Sequence, residues 1–136
     1  MTGDMLVVED DPVLRNTFTR VLRSLGLTVI AVGSVTEAKN AFQNGIFSVV
    51  MSDMMLPDGT GKDFHSWVAE NFPGHQHRFF FCSGSMSEDL RAYILLNDCK
   101  LFVKPLDISA LIEAIGEKCD AQQTDRRPAH ADGVPS

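Results

Sequence analysis

Met5-Leu6-Val7-Val8-Glu9-Asp10-Asp11-Pro12 decides the reading of this chain: four apolar residues run straight into three carboxylates and a proline. A short continuous apolar run predicts a buried strand over residues 5–9. Pro12 suits the first turn of a helix, where its missing N–H would have no partner in any case. Leu14, Phe18, Val21, Leu22 and Leu25 follow at helical spacing, and Gly26 stops that helix.

The alternation continues outward from this unit. Leu27 to Val32 is a β-branched second strand, and Ser34-Val35-Thr36-Glu37 predicts a capping box opening a helix through Ala38, Ala41 and Phe42. Phe47 to Ser52 reads as the third strand, Pro57-Asp58-Gly59-Thr60-Gly61 as a turn, and Phe64, Trp67 and Val68 as the buried stripe of a third helix. Arg78 to Cys82 is the fourth strand, and Ser85-Met86-Ser87-Glu88 is a second capping-box pattern ahead of Leu90 and Ile94. Lys100 to Val103 is the fifth strand, and Asp107 caps a last helix carrying Ile108, Leu111, Ile112 and Ile115. Strands spaced by helices of this length predict an α/β fold with a parallel sheet. Runs apolar on both faces, such as Phe79-Phe80-Phe81, belong to central strands covered on both sides.

Composition sets bounds around that plan. At 136 residues one domain is expected, and the 44% hydrophobic and 22% charged fractions are those of a globular chain. A net charge of -6 without a basic run argues against nucleic-acid binding. No apolar segment approaches the roughly 20 residues of a membrane span, and Met1-Thr2-Gly3-Asp4 lacks signal-peptide character. Cys82, Cys99 and Cys119 have no metal-ligand spacing, which fits reduced thiols in the cytoplasm. From Asp120 large apolar residues nearly vanish, so residues 1–119 form the expected domain and 120–136 a disordered tail.

In a parallel α/β sheet the carboxyl ends of the strands share one edge, where ligands bind. Glu9, Asp10 and Asp11 follow the first strand, Asp53 the third, Ser83 the fourth and Lys104 the fifth. One pocket would thus gather carboxylates, a hydroxyl and an ammonium. Two unit charges 4 Å apart interact by roughly 4 kcal/mol at an effective dielectric of 20, so the carboxylates call for a cation. All-oxygen ligands point to Mg²⁺ or Mn²⁺.

Leu6-Val7-Val8-Glu9-Asp10-Asp11, Ser52-Asp53-Met54-Met55-Leu56-Pro57-Asp58-Gly59, Ser83-Gly84 and Val103-Lys104-Pro105 resemble the four signatures of two-component response-regulator receiver domains, in that family's order and spacing. The resemblance implies a doubly wound, five-stranded (βα)5 flavodoxin-like sheet of order 2-1-3-4-5. It also implies Asp53 as phosphoacceptor, with Asp10, Asp53 and the backbone carbonyl of Met55 binding the metal and Glu9 acting through a water. Lys104 and Ser83 would meet phosphoryl oxygens, and Gly84 would leave the site open to a phosphohistidine. The expected partner is a histidine kinase or histidine phosphotransfer protein, with neither nucleic acid nor direct membrane contact. Asp11 lies one position beyond the family's acidic pair. The aromatic that many receivers carry three positions before the lysine is Leu101 here, which puts the usual switch in doubt. The segments around Ser83 and Lys104 are similar to C-terminal receivers of hybrid histidine kinases, so a stand-alone receiver and the receiver of a longer kinase both remain open.

Other readings are weaker. Haloacid-dehalogenase phosphatases also place an aspartyl nucleophile at a strand end with a magnesium ion and a lysine, but they want a second Asp where this chain has Met55. A receiver kept only for docking would not need Asp10, Asp53, Ser83 and Lys104 together. Gly59-Thr60-Gly61-Lys62-Asp63 fails the Walker pattern, lacking the earlier glycine and carrying Asp63 in place of Ser or Thr. His65, His75, His77 and His130 show no ligand spacing, and Trp67 reads as core.

Overall fold

A computed structural model describes the backbone of residues 4–126 and the side chains of residues 4–117. Strands β1 (Asp4–Val8), β2 (Thr28–Val32), β3 (Val49–Asp53), β4 (Phe79–Ser83) and β5 (Lys100–Val103) form one parallel sheet in the order β2-β1-β3-β4-β5. Helices α1 (Pro12–Ser24), α2 (Val35–Gln43), α3 (Gly61–Asn71), α4 (Glu88–Leu96) and α5 (Ile108–Arg126) alternate with the strands. This is the expected doubly wound, flavodoxin-like arrangement.

Successive residues of a strand point to opposite faces, and that period divides the core in two. Met5, Val7, Val49, Met51 and Phe80 meet Phe18 and Leu22 of α1 and Leu111, Ala114 and Ile115 of α5. Leu6, Val8, Val50, Phe79 and Phe81 meet Ala38 and Phe42 of α2, Phe64 and Val68 of α3 and Leu90 of α4. Burying one such side chain contributes about 1.5–3 kcal/mol. The unbroken Phe79-Phe80-Phe81 run therefore serves both layers, and a one-residue slip would exchange them.

Local signals differ from the sequence reading in four places. Ser34 caps α2 through the Glu37 N–H, but the Glu37 carboxylate accepts from Gly33 N at 2.8 Å, so the reciprocal bond lands one residue early. α4 is capped by Ser87, whose hydroxyl accepts from Leu90 N at 3.1 Å, because Ser85 is drawn into the preceding loop by Ser83. The full capping box belongs to α3, where Thr60 and Asp63 bond each other's backbone N–H. α5 runs to Arg126, seven residues into the expected tail. Ala and Gln are good helix formers, and the Ala121-Gln122-Gln123 stretch continues the helical backbone. Residues 127–136 and the Cys119 side chain lie outside the described residues.

Candidate functional site

Register delivers the site residues to one edge. Val8 of β1 lies opposite Ser52 of β3, so Glu9 and Asp53 emerge side by side. Asp53 in turn pairs with Cys82, and Ser83 with Val103. Lys104 N donates to Ser83 O at 2.7 Å as β5 ends. From there the lysine stem reaches back across β4, placing Nζ 3.0 Å from Asp53 Oδ2 and 3.4 Å from Glu9 Oε1. Glu9, Asp10 and Asp53 each offer a carboxylate oxygen, all within 4.8 Å of one another. Glu9 and Asp53 are buried, while Asp10 is exposed.

Three carboxylates against one ammonium leave a surplus of negative charge. The ammonium sits nearer Asp53, so Glu9 is the carboxylate left short of a partner. Burial raises its pKa from 4.5 to about 7; the Asp11 N–H and Lys104 oppose the rise, and the Asp53 charge adds to it. Burial alone would lower the pKa of Lys104, but the hydrogen bond and charge of Asp53, with Glu9 behind, outweigh it and raise it. The two directions are consistent: the lysine is held charged by Asp53, and Glu9 gains less from it than burial takes away. An all-oxygen donor set with excess negative charge fits a hard divalent cation.

The remaining expected residues divide. Asp11 stays out of the cluster, its Oδ1 accepting from Val13 N at 2.9 Å and Leu14 N at 3.4 Å as the cap of α1. Ser83 reaches the edge, but its hydroxyl donates to Ser85 O at 2.7 Å and so faces its own loop. Met55 stands two residues after Asp53 in a short hairpin, Met55–Leu56 against Gly59–Thr60, with its side chain exposed. Leu101 is only partly buried, packed against the α2–α3–α4 side of the core.

Residues that the sequence reading passed over hold this loop. A Cβ on Gly61 would come within 2.7 Å of Asp53 O, so only glycine lets α3 start directly over the third strand's end. Asp58 grips the start of α2, accepting from Val35 N at 2.7 Å, Thr36 N at 2.9 Å and the Thr36 hydroxyl at 2.6 Å. The Thr36 hydroxyl, then the two N–H groups, lower the Asp58 pKa to about 2. The sequence marked Asp58-Gly59 as turn chemistry without naming that partner. His65 is buried between Phe79, Phe81 and Tyr93, its Nε2 donating to Gln76 O at 3.0 Å, which leaves Nδ1 to accept from the Tyr93 hydroxyl. Burial lowers its pKa, and its role is to tie α3 to α4.

Comparison with known proteins decides the family. The family model described as the response regulator receiver domain matches residues 5–116. The chain belongs to the response regulator receiver family. Receiver domains are phospho-accepting signalling domains rather than metabolic enzymes, and the phosphatase alternative gains no support. Response regulator protein PilR of Pseudomonas aeruginosa is 26% identical over 110 residues, covering 81% of this chain and 24% of PilR. Sensor kinase CckA of Brucella abortus is 29% identical over 125 residues, covering 89% of this chain and 13% of CckA. The receiver thus spans a quarter or less of both relatives. Among solved structures, a CheY-like response regulator receiver domain protein from Methanospirillum hungatei superposes with a TM-score of 0.81 at 23% identity, over 92% of this chain and 99% of that one. Among the described residues no helix is long and apolar enough to cross a membrane.

Proposed function

We propose that this receiver takes a phosphoryl group onto Asp53 from the phosphohistidine of a histidine kinase or histidine phosphotransfer protein, in the cytoplasm. The observation that carries the reading is the Asp53 carboxylate itself. It is buried at the sheet edge, 3.0 Å from the Lys104 ammonium and within 4.8 Å of the Asp10 and Glu9 oxygens.

Asp10, Asp53 and the Met55 carbonyl would hold a Mg²⁺ or Mn²⁺ ion, with Glu9 reaching it through a water. Bound there, such an ion would supply positive charge to offset that of the transferring phosphoryl oxygens. An Asp53 oxygen attacks phosphorus as the phosphorus–nitrogen bond to the donor imidazole breaks; the electron pair leaves with the imidazole, which takes up a proton. Phosphoryl transfer needs mainly positioning and charge neutralisation, and the chain's residues supply both. Met54 N donates to Asp53 Oδ1 at 3.0 Å and fixes the carboxylate plane. Lys104 remains charged and is already aimed at the acceptor. The Ser83 hydroxyl turns from Ser85 O toward a new phosphoryl oxygen, which moves the β4–α4 loop. A Cβ at Gly84 would have nothing within 4 Å, which suits the approach of a bulky donor. Hydrolysis of the acyl phosphate by water resets the site.

Intact-mass analysis after acetyl phosphate treatment tests this reading, with and without Mg²⁺. Wild type should gain one phosphoryl mass only with the metal, and Asp53→Asn should gain none while keeping its circular dichroism spectrum. Equal labelling of Asp53→Asn would remove Asp53 as acceptor.

A further inference from the structure

We infer that Arg15 is the positioning residue of the acidic turn, and that Gly33 is left without a side chain to admit it. The inference rests on the metal-assisted reading above. Asp10, the exposed member of the cluster, makes no side-chain hydrogen bond among the described residues, so its backbone decides where its carboxylate points. That backbone is held from below. Arg15, one turn into α1, folds back so that Nη1 donates to Glu9 O at 2.9 Å and reaches Asp10 O at 3.5 Å. One guanidinium nitrogen thus bridges the carbonyls of both residues that precede the cap Asp11. Around it, Glu9 N donates to Val32 O at 2.9 Å and Asp11 N to Glu9 Oε2 at 3.1 Å.

The second strand's loop is shaped to fit. A Cβ built on Gly33 would lie 2.9 Å from Arg15 Nη1 and 3.8 Å from its Cζ. Ordinary contacts are longer than the first distance, so alanine at position 33 would push the guanidinium off the carbonyls. The atom displaced is the far end of a flexible side chain, so the sheet need not move. Two loops from adjacent strands therefore converge on one arginine behind the carboxylates.

Two roles for Arg15 predict opposite signs. As a positive charge near the cluster it opposes cation binding, and removing it would tighten Mg²⁺ affinity. As the clamp on the turn it orients Asp10, and removing it would weaken affinity. Groups that orient metal ligands typically change affinity about 10- to 100-fold when lost. Lysine keeps the charge but loses the planar donor fork.

Isothermal titration with Mg²⁺ alone separates the two, on wild type, Arg15→Met, Arg15→Lys, Gly33→Ala and Asp10→Ala. We expect about tenfold weaker Mg²⁺ binding in Arg15→Met, with Arg15→Lys and Gly33→Ala also weakened although both keep the charge. The Arg15→Met/Gly33→Ala double variant should be no weaker than Arg15→Met, because both changes undo the same contact. Melting temperatures in EDTA check that each variant is folded. Affinity unchanged or tightened in Arg15→Met, or unchanged in Gly33→Ala, would overturn the inference. If wild type shows no saturable Mg²⁺ binding, or Asp10→Ala binds as well as wild type, the metal-centre reading fails first and takes the role of Arg15 with it.

Discussion

Replacing Glu9 with glutamine should flatten the pH dependence of folding stability in the metal-free protein. Glu9 is 3% exposed, and its carboxyl is pushed from 4.5 to about 7, above all by burial. The folded state therefore holds this proton more tightly than the unfolded chain does. The contribution to stability is full below pH 4.5, is lost as pH rises from there to about 7, and stays lost above it. Each pH unit of that interval corresponds to about 1.4 kcal/mol, so about 2.5 kcal/mol would disappear between pH 5 and pH 8 if nothing screened the site. Lys104 is 27% exposed and the cluster opens to solvent at Asp10, so screening reduces the expected loss to about 1–2 kcal/mol. His65 and His75, both lowered by burial, act oppositely and add stability as pH rises toward 6.5. The quantity to measure is therefore the difference between variant and wild type, in which the histidines cancel. Urea unfolding in EDTA, followed by the single tryptophan, Trp67, gives that difference at each pH. Glu9→Gln should gain about 1–2 kcal/mol on wild type between pH 5 and pH 8. A difference constant across that range would show that Glu9 titrates normally and that the surplus charge is not lodged there.

Two further outcomes follow from the same geometry. Mg²⁺ at tenfold above its Kd should stabilise the folded protein by about 1.4 kcal/mol, seen as a raised melting temperature, and Asp10→Ala should abolish that increment; a shift surviving in the variant would move the ion away from Asp10. Hydrogen exchange compared between the free and beryllofluoride-bound protein should change most in residues 84–107, which begin at the Ser83 loop and include Leu101 and Phe102; changes confined to residues 12–45 would place output on the other side of the sheet.

The main architecture was legible because it rests on patterns that a chain cannot hide. Strand ends at Val8, Asp53, Ser83 and Val103 are marked by the change from apolar run to polar residue, and parallel topology then brings them to one edge. Lys100 to Val103 appears with the very bounds read from the sequence, and Asp107 caps α5 through Ala110 N at 3.2 Å. What escaped were contacts between side chains and distant backbone. Nothing local in Asp58 says that it will cap a helix beginning 23 residues earlier, and nothing in Arg15 or Gly33 says that they meet. Ser85 looked like a cap because its spacing to Glu88 was right; Ser83 claimed its carbonyl first. The histidines lacked ligand spacing, and for His65 the missing information was Tyr93, 28 residues on.

Read in sequence, the carboxylates share a pocket with the Lys104 ammonium, and the structure adds the order of contact: Lys104 stands inside the cluster, closer to Asp53 than to Glu9. On the proposed reading, neutralisation would be divided between this resident ammonium and the ion at Asp10 on the open side. That division explains why the groups differ so much in burial. The ammonium must be anchored, so it reaches in from β5 on a partly covered stem, and its acceptor is buried to keep the interaction strong. Asp10, the proposed ligand on the open side, is exposed, and Arg15 reaches the backbone carbonyls beside it. A phosphoryl group on Asp53 would convert one negative charge into about two. Lys104 would then have a stronger claim at β3 than Glu9 can match, and Ser83 a new acceptor in place of Ser85 O. Both adjustments pull on the loops that start α4 and α5, while His65 and Tyr93 hold α4 to α3. With Leu101 in place of an aromatic reporter, we expect charge at Asp53 to reach the surface through movement of those loops against that tether.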